Sequence, residues 1–147
     1  MNMSDCAFCS FKDQEVIIHE DDLCFAAISM NPINRYHVLV IPKEHYENLI
    51  DLPDELISHL FVATKKLSSA VRKTCSPSAI QHLTDDDIER KGFNLVAHFK
   101  IHIIPRFEDD ELEIEWGPGR KDLNLEERGR IARQVKNELE RSSSPRN

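Results

Sequence analysis

The sequence predicts an α+β fold with a mostly antiparallel sheet, one long helix and a C-terminal helix. Short apolar segments typical of strands come first, a long amphipathic segment separates them from further strand-like segments, and a second amphipathic segment follows. Runs of strands with few helices between them favour antiparallel sheets, because parallel strands need long crossover connections. The 147 residues are enough for one domain with its own core.

The composition is that of an ordinary globular protein and argues against some functions. The chain is 40% hydrophobic and 31% charged, with a formal net charge of −7. Sequence-independent binding of nucleic acid needs a basic surface, so we expect no nucleic-acid partner, although a local pocket can still hold a small anion. The sequence has no apolar run long enough to cross a bilayer and no signal-peptide-like N-terminus. We therefore expect a cytoplasmic protein without a membrane partner.

Three apolar segments predict strands in the first third of the chain. EVIIHE, residues 15–20, and DDLCFAAI, residues 21–28, flank an acidic turn. NPINRY, residues 31–36, is expected to be a loop because Asn-Pro is a turn signal. HVLVIP, residues 37–42, is an almost continuous apolar run, which indicates a buried strand.

The long amphipathic segment predicts a helix with one buried face. Asp51 is the expected N-cap, with Pro53 in the first turn, and Ser76-Pro77 is expected to end the helix. The apolar residues follow at spacings of three and four, which places them in one stripe. The stripe consists of Leu56, Leu60, Ala63, Leu67 and Val71.

The second half of the sequence predicts two more strands. SAIQHL, residues 78–83, is a short candidate, and NLVAHFKIHIIP, residues 94–105, is the longest one. Charged residues 84–92 and acidic residues 107–122 are expected to be loops.

A second helix is expected near the end of the chain. Asn124 as N-cap and Glu127 three residues later form a variant of the capping box, and the helix is predicted to run to about Arg141. Residues 1–141 would then form a single domain, and residues 142–147 a disordered tail.

One strand carries a row of polar side chains within an apolar segment. His98, Lys100 and His102 alternate with apolar residues and would project from one face, roughly 7 Å apart per step. A solvated strand face would explain a single polar residue. Three groups that can all be cationic repel one another, which favours a binding site for negative charge. The other face would pack in the core through Phe99, Ile101 and Ile103.

The chain has four cysteines, and only Cys6 and Cys9 are paired by spacing. In a reducing compartment C-x-x-C points to metal binding or redox chemistry rather than to a disulfide framework. Cys24 and Cys75 have no such pattern and are expected to be buried or inert thiols.

Three motifs together resemble the histidine triad (HIT) family. VAHFKIHIIPR, residues 96–106, is similar to its signature His-φ-His-φ-His-φ-φ, HVLVIPKEHYENLIDLPDE, residues 37–55, is similar to its earlier strand and helix, and CAFC resembles its zinc-binding members. They span roughly residues 6–107 in the family's order. The resemblance implies a single HIT-like domain that binds nucleotides, is usually a homodimer, and hydrolyses or transfers nucleotidyl groups on dinucleoside polyphosphates or nucleoside phosphoramidates.

The resemblance also assigns a catalytic set with one departure. The family's central triad histidine attacks the α-phosphorus and forms a nucleotidyl-histidine, which water resolves. Lys100 stands at that position here, and the resemblance implies that His102 and His37 support the phosphate and the nucleophile. A lysine with an ordinary pKa of about 10.4 is protonated at neutral pH and cannot attack, whereas it binds phosphate as a point charge. We therefore favour nucleotide binding; the alternative is an active nucleotidyl hydrolase or transferase that uses deprotonated Lys100 or an altered mechanism.

The ligand implied by the resemblance is a purine nucleotide or another small phosphorylated molecule. Ser29 stands where the family often has an acidic or amide side chain for the ribose hydroxyls, and Tyr36 replaces a glycine. These departures suggest altered specificity or lost activity. The predicted nucleotide-binding residues are Ser29, Asn31, Asn94, Lys100 and His102.

The resemblance further implies a structural zinc site. Zinc prefers four tetrahedral ligands from thiolates and imidazoles. In zinc-binding relatives the ligands that join the two cysteines are the histidine after Pro-Lys and the first triad histidine. The other interpretation is that CAFC merely supplies two small buried residues; since both histidines are present, we favour zinc. The predicted ligands are Cys6, Cys9, His45 and His98.

Overall fold

The computed structural model describes residues 6–110 and 123–142. They fall into two compact units, one that ends at residue 112 and one that begins at residue 113, and each is described by itself. The predicted acidic loop lies outside the described residues from residue 111 onwards, and so does the predicted tail except for Ser142. No helix among the described residues is both long and apolar enough to span a membrane.

The first unit is built on a five-stranded sheet in which every neighbouring pair is antiparallel. The strand order is β1-β2-β3-β5-β4, so β5 lies between β3 and β4. This arrangement, with one long helix and a C-terminal helix, confirms the predicted α+β class. The strands are β1 (Ile17–Glu20), β2 (Cys24–Ile28), β3 (Val38–Pro42), β4 (Ala79–Leu83) and β5 (Ile101–Arg106).

Both faces of the central strands are covered, which explains why their sequences are almost continuously apolar. Helix α1 (Asp54–Cys75) packs on one face, and the whole predicted stripe is buried there. Leu60, in its middle, is 0% exposed. The core under α1 also contains Val38, Val40, Phe99, Ile101 and Ile103.

The start of α1 differs from the prediction. Its N-cap is Pro53, with no side-chain cap, whereas Asp51 ends a separate 3₁₀ turn, Leu49–Asp51. The Asp51 carboxylate accepts a hydrogen bond from the side chain of Asn48, at 3.1 Å, and is thereby directed away from the helix. The C-terminal end lies where it was expected, at Ser76, which adopts a left-handed conformation with φ of 47°.

The opposite face of the sheet is covered by the N-terminal segment. Phe11 stacks on Phe25 of β2 with ring centroids 5.3 Å apart. Residues 14–16 form a 3₁₀ turn, so β1 begins two residues later than predicted. The apolar cluster on this face consists of Phe25, Ala27, Leu39 and Ile41, with Phe8, Phe11, Val16 and Ile17 packed against it.

Strand β5 is shorter than the predicted segment 94–105, because it begins only at Ile101. The preceding residues follow a loop held by Asp87, whose carboxylate accepts the N–H groups of Lys91, Gly92 and Phe93 at 2.6–3.0 Å. Gly92 adopts φ of 91°, a conformation that suits glycine and no strand. These bonds hold the backbone in a loop at the start of the predicted strand.

Helix α2 (Leu125–Ser142) forms in the second unit and confirms the capping box. The Asn124 side chain accepts a hydrogen bond from the Glu127 N–H at 3.0 Å, and the Glu127 carboxylate accepts one from the Asn124 N–H at 3.1 Å.

Candidate functional site

The polar row lies on the sheet face opposite α1. His102 pairs with Leu39 of β3, and Leu39 belongs to the apolar cluster on that face. Lys100 and His98 precede β5 and are 7% and 0% exposed. Since the side chain of His102 is only 15% exposed, the row is a largely buried set of polar groups rather than a solvated strand face.

At one end of this row, four side chains bring sulfur and nitrogen atoms together. A hydrogen bond from the Ser10 N–H to the Cys6 carbonyl, at 3.1 Å, closes a helical turn that places Cys6 and Cys9 on one side. His45 joins from the loop after β3, and His98 from the segment before β5. The Sγ atoms of the cysteines and the Nδ1 atoms of the histidines all lie within 4.8 Å of one another.

The spacing of these four atoms suits a metal ion. Ligands about 2.0–2.3 Å from Zn²⁺ at tetrahedral angles lie roughly 3.3–3.8 Å apart. Cys6 Sγ is 3.4 Å from His98 Nδ1, Cys9 Sγ is 3.3 Å from His45 Nδ1, and the two Nδ1 atoms are 3.2 Å apart. The cluster formed by Cys6, Cys9, His45 and His98 is capable of binding a metal ion.

The surroundings of the cluster fix its orientation. His98 Nε2 donates a hydrogen bond to the Pro42 carbonyl at 2.9 Å, which leaves Nδ1 with a free lone pair. Burial and the neighbouring Cys6 raise the pKa of the Cys9 thiol to about 11. A bound metal ion would displace this proton, because coordinated thiols are deprotonated.

At the other end of the row, two histidines form a chain of hydrogen bonds. The Ile33 N–H donates to His37 Nδ1 at 3.2 Å, so the proton of a neutral His37 resides on Nε2. That nitrogen lies 2.8 Å from His102 Nδ1 and donates to it. The remaining proton of His102 therefore resides on its Nε2.

His102 Nε2 is buried and has no hydrogen-bond partner among the described residues. The Asp85 carboxylate lies 4.0 Å away, too far for a hydrogen bond. Burial, with repulsion from neighbouring basic groups, lowers the pKa of both His37 and His102 to about 4, so both rings are neutral at pH 7. The chain of bonds thus ends in a buried N–H donor that lacks an acceptor.

Lys100 lies between the Cys/His cluster and His102 and is surrounded by hydrogen-bond acceptors. Its Nζ donates to the side-chain oxygen of Asn94 and to the carbonyls of Val96 and His98, both at 3.3 Å. The ring of Phe8 lies 5.6 Å from Nζ, within the range of a cation–π contact. Burial lowers the pKa of Lys100, against the attraction of Asp85.

The other residues expected to bind a nucleotide are less closely gathered. Asn94 lies beside Lys100, and its amide nitrogen donates to the Asp85 carbonyl at 3.2 Å. Ser29 is half-buried at the end of β2, and its N–H donates to the His37 carbonyl at 3.0 Å. Asn31 is exposed in the following loop.

Sequence reasoning missed Asp85 and Phe8 as neighbours of the site. Asp85 falls in the charged stretch that was interpreted only as an exposed loop, yet its side chain is 33% exposed and faces His102. Phe8 lies between the two cysteines of C-x-x-C. Its position could have been predicted from this spacing, because a turn that brings both cysteines to the sheet also brings the residues between them.

Several known proteins are similar to this chain in sequence. A HIT-like protein of Saccharolobus solfataricus is 32% identical over 108 residues, which cover 71% of this chain and 76% of the relative. An adenylylsulfatase of Arabidopsis thaliana is 29% identical over 126 residues, covering 84% of this chain and 63% of that protein.

Solved structures show the same fold. A HIT family member from Bacillus subtilis matches with a TM-score of 0.80 and 27% identity, over 90% of this chain and 96% of that one. A zinc-bound histidine triad protein from Mycobacterium smegmatis matches with a TM-score of 0.66 and 26% identity, over 95% and 99% of the two chains. The sequence model of the HIT domain family matches residues 10–109 of this chain. The chain therefore belongs to the HIT family.

Proposed function

We propose that this protein binds a purine nucleotide through its phosphate without transferring the nucleotidyl group to itself. The buried Nε2–H of His102 carries this proposal, because it is a donor without an acceptor. An unpaired buried donor costs free energy, and a phosphate oxygen would satisfy it with a charge-assisted hydrogen bond. The chain of bonds from Ile33 through His37 fixes the proton on that nitrogen.

The charge of Lys100 supports binding of an anion. Nζ has three acceptors around it, Asn94 Oδ1 and the carbonyls of Val96 and His98, and an ammonium group has three protons to donate. A neutral amine would direct its lone pair at one of these acceptors. The surroundings therefore favour the protonated form, which attracts a phosphate but cannot attack it.

The family context supports a nucleotide rather than inorganic phosphate as the ligand. The resemblance implies that Lys100 stands at the position of the family's central triad histidine. The related adenylylsulfatase is named for an adenylyl substrate. The active-enzyme alternative has one observation in its favour, namely that burial lowers the pKa of Lys100 toward the range of a nucleophilic amine.

We propose Zn²⁺ as the ion for the cluster of Cys6, Cys9, His45 and His98, in a structural role. Two thiolates and two imidazoles would complete the tetrahedral shell of Zn²⁺ and would leave no open position for a substrate. A bound ion would supply a cross-link between the N-terminal segment, the loop after β3 and the segment before β5. Metal analysis of protein purified under reducing, non-chelating conditions is expected to show zinc, and a Cys6→Ser, Cys9→Ser variant should lose it; absence of zinc from the wild type would contradict this assignment.

The binding proposal is tested by calorimetric titration with AMP. Asn at position 102 keeps a polar atom near Nδ1 but removes the Nε2 donor, whereas Gln reaches the place of Nε2. We expect His102→Asn to weaken AMP binding by roughly 10- to 100-fold, as for a hydrogen bond to a charged group, and His102→Gln to weaken it less. His82→Asn is the matched control, because His82 is exposed and bonded to Ser68 at 2.8 Å. No AMP binding at millimolar concentration, or equal affinity of wild type and His102→Asn, would overturn the proposal.

A further inference from the structure

A second group of metal-type donors lies at the turn between β1 and β2. His19, Asp21 and Cys24 bring a nitrogen, an oxygen and a sulfur atom within 4.8 Å of one another. His59 of α1 reaches the same carboxylate from across the turn. We propose that these four side chains form a second binding site for a divalent transition-metal ion of the Zn²⁺ class.

The donors converge on one atom, Asp21 Oδ2. His59 Nε2 is 2.8 Å from it, His19 Nε2 is 3.2 Å from it, and Cys24 Sγ is 3.7 Å from it. The separations of His19 Nε2 and Cys24 Sγ from Asp21 Oδ2 are close to the roughly 3.3–3.8 Å expected between ligands of one tetrahedral ion. His59 Nε2 lies closer to the carboxylate than a second ligand would, and its side chain would have to move to become the fourth ligand.

The backbone orients the carboxylate for this role. Asp21 Oδ1 accepts hydrogen bonds from the N–H groups of Leu23 and Cys24, both at 2.9 Å. One oxygen is thus committed to the turn, and the other is directed at the two imidazoles and the thiol. Burial alone would raise the pKa of Asp21, but these backbone bonds and the two histidines hold it well below its usual range, so the carboxylate is ionised.

The set of donors selects the class of ion. Two imidazole nitrogens, one carboxylate oxygen and one sulfur suit Zn²⁺ or Co²⁺, whereas Mg²⁺ and Ca²⁺ prefer oxygen ligands alone. His19, Asp21 and His59 are partly exposed, with side-chain exposures of 38%, 31% and 36%, so an ion can enter from solvent. Cys24 is buried beneath them and would exchange its thiol proton for the ion.

This second site shares no residue with the proposed nucleotide site or with the cluster of Cys6, Cys9, His45 and His98, so it is independent of both. A bound ion would connect the β1–β2 turn to α1, which lies on the opposite face of the sheet from the polar row. In its absence the same contacts are hydrogen bonds, and the experiment distinguishes the two descriptions.

The test is a titration of the metal-stripped, reduced full-length protein with Co²⁺, followed by its visible absorption. We expect the wild type to bind two equivalents and His59→Gln to bind one fewer than the wild type. His82→Gln is the matched control and should bind as the wild type does. Circular dichroism checks that each variant is folded; His59 is partly exposed, so its substitution should preserve the fold.

A second readout is the melting temperature with and without Zn²⁺. A ligand that binds only the folded state raises the melting temperature, so Zn²⁺ should stabilise a Cys6→Ser, Cys9→Ser variant, and adding His59→Gln should abolish that stabilisation. If His59→Gln binds as many equivalents of Co²⁺ as the wild type, the proposal is overturned and the contacts of Asp21 are hydrogen bonds only.

Discussion

The acceptors around Lys100 come from residues that precede β5 rather than from the strand itself. Alternation in the sequence predicted that His98, Lys100 and His102 share one face. The pairing of His102 with Leu39 and the contacts of His98 and Lys100 with Phe8, on the same face, support it. The three acceptors could not be predicted, because two are backbone carbonyls that become available only where the chain leaves the sheet ladder. The protonation proposed for Lys100 thus depends on where strand β5 begins, and sequence periodicity does not define that residue.

The neutral histidines of the site predict how stability depends on pH. His102 has a pKa near 4 in the folded state and about 6.5 when unfolded. Between these values the unfolded chain binds more protons, so stability is complete above about pH 6.5 and falls as the pH decreases toward 4. This ring should account for a loss of about 2 kcal/mol between pH 7 and pH 5.

Urea unfolding at the two pH values measures this loss. His102→Asn should show a loss smaller than that of the wild type by about 2 kcal/mol, and His82→Asn should behave as the wild type does. Equal pH dependence in His102→Asn and the wild type would show that His102 is not held neutral by burial.

The Asp85 carboxylate predicts a variant with stronger ligand binding. It lies 4.0 Å from His102 Nε2, so it would repel a phosphate bound there. We expect Asp85→Asn to bind AMP roughly 3- to 10-fold more tightly at low salt. Glu89→Gln is the control for net charge, because Glu89 is in the same loop, is exposed and pairs with Lys91. Equal affinity for AMP in Asp85→Asn and Glu89→Gln would place the phosphate elsewhere.

Among the elements, α1 was the most predictable. Apolar residues three and four apart predict one buried face of a helix, and every residue of this stripe is buried. Its start was not predictable from residue type, because Asp51 is a good N-cap but ends a 3₁₀ turn instead. The first residue of β5 was also not predictable. The Asp87 carboxylate holds the preceding loop by hydrogen bonds to backbone N–H groups, and such bonds leave no periodic pattern in the sequence.

The packing of α1 is tested by truncation of its central residue. Leu60→Ala should lower the free energy of unfolding by about 2–5 kcal/mol, because Leu60 is fully buried and its truncation leaves a cavity. Val62→Ala, on the exposed side of the same turn, should change it by less than about 0.5 kcal/mol, since Val62 is 53% exposed. Denaturant unfolding of both variants makes the comparison. A small effect at Leu60 would contradict the packing of this helix on the sheet.

At the scale of the molecule, both faces of the first unit's sheet are packed, but only one carries the polar row. One face packs against α1, and the other carries the apolar cluster under the N-terminal segment together with the Cys/His cluster, Lys100 and His102. The resemblance implied the four metal-type residues from the motifs of zinc-binding relatives, and the structure brings them together. The site at Asp21 could not be found in this way, because His59 belongs to a different element and only the fold brings it to the turn.

Assembly and turnover are the two further predictions at this scale. The homodimer that the resemblance implies stays a prediction, and light scattering of the full-length protein measures it. Turnover concerns the central claim, which is that the site binds the nucleotide but does not attack it. Histidine has a free lone pair at neutral pH, so Lys100→His would place a nucleophile beside His102, at the position that the resemblance gives to the family's central histidine.

The most direct test is the rate at which adenosine 5′-phosphoramidate is converted to AMP, measured side by side for the wild type and Lys100→His. We expect no turnover by the wild type and measurable turnover by Lys100→His. Turnover by the wild type that is lost in Lys100→Met, with a covalent nucleotide on the wild-type chain, would contradict this expectation and establish Lys100 as a nucleophile.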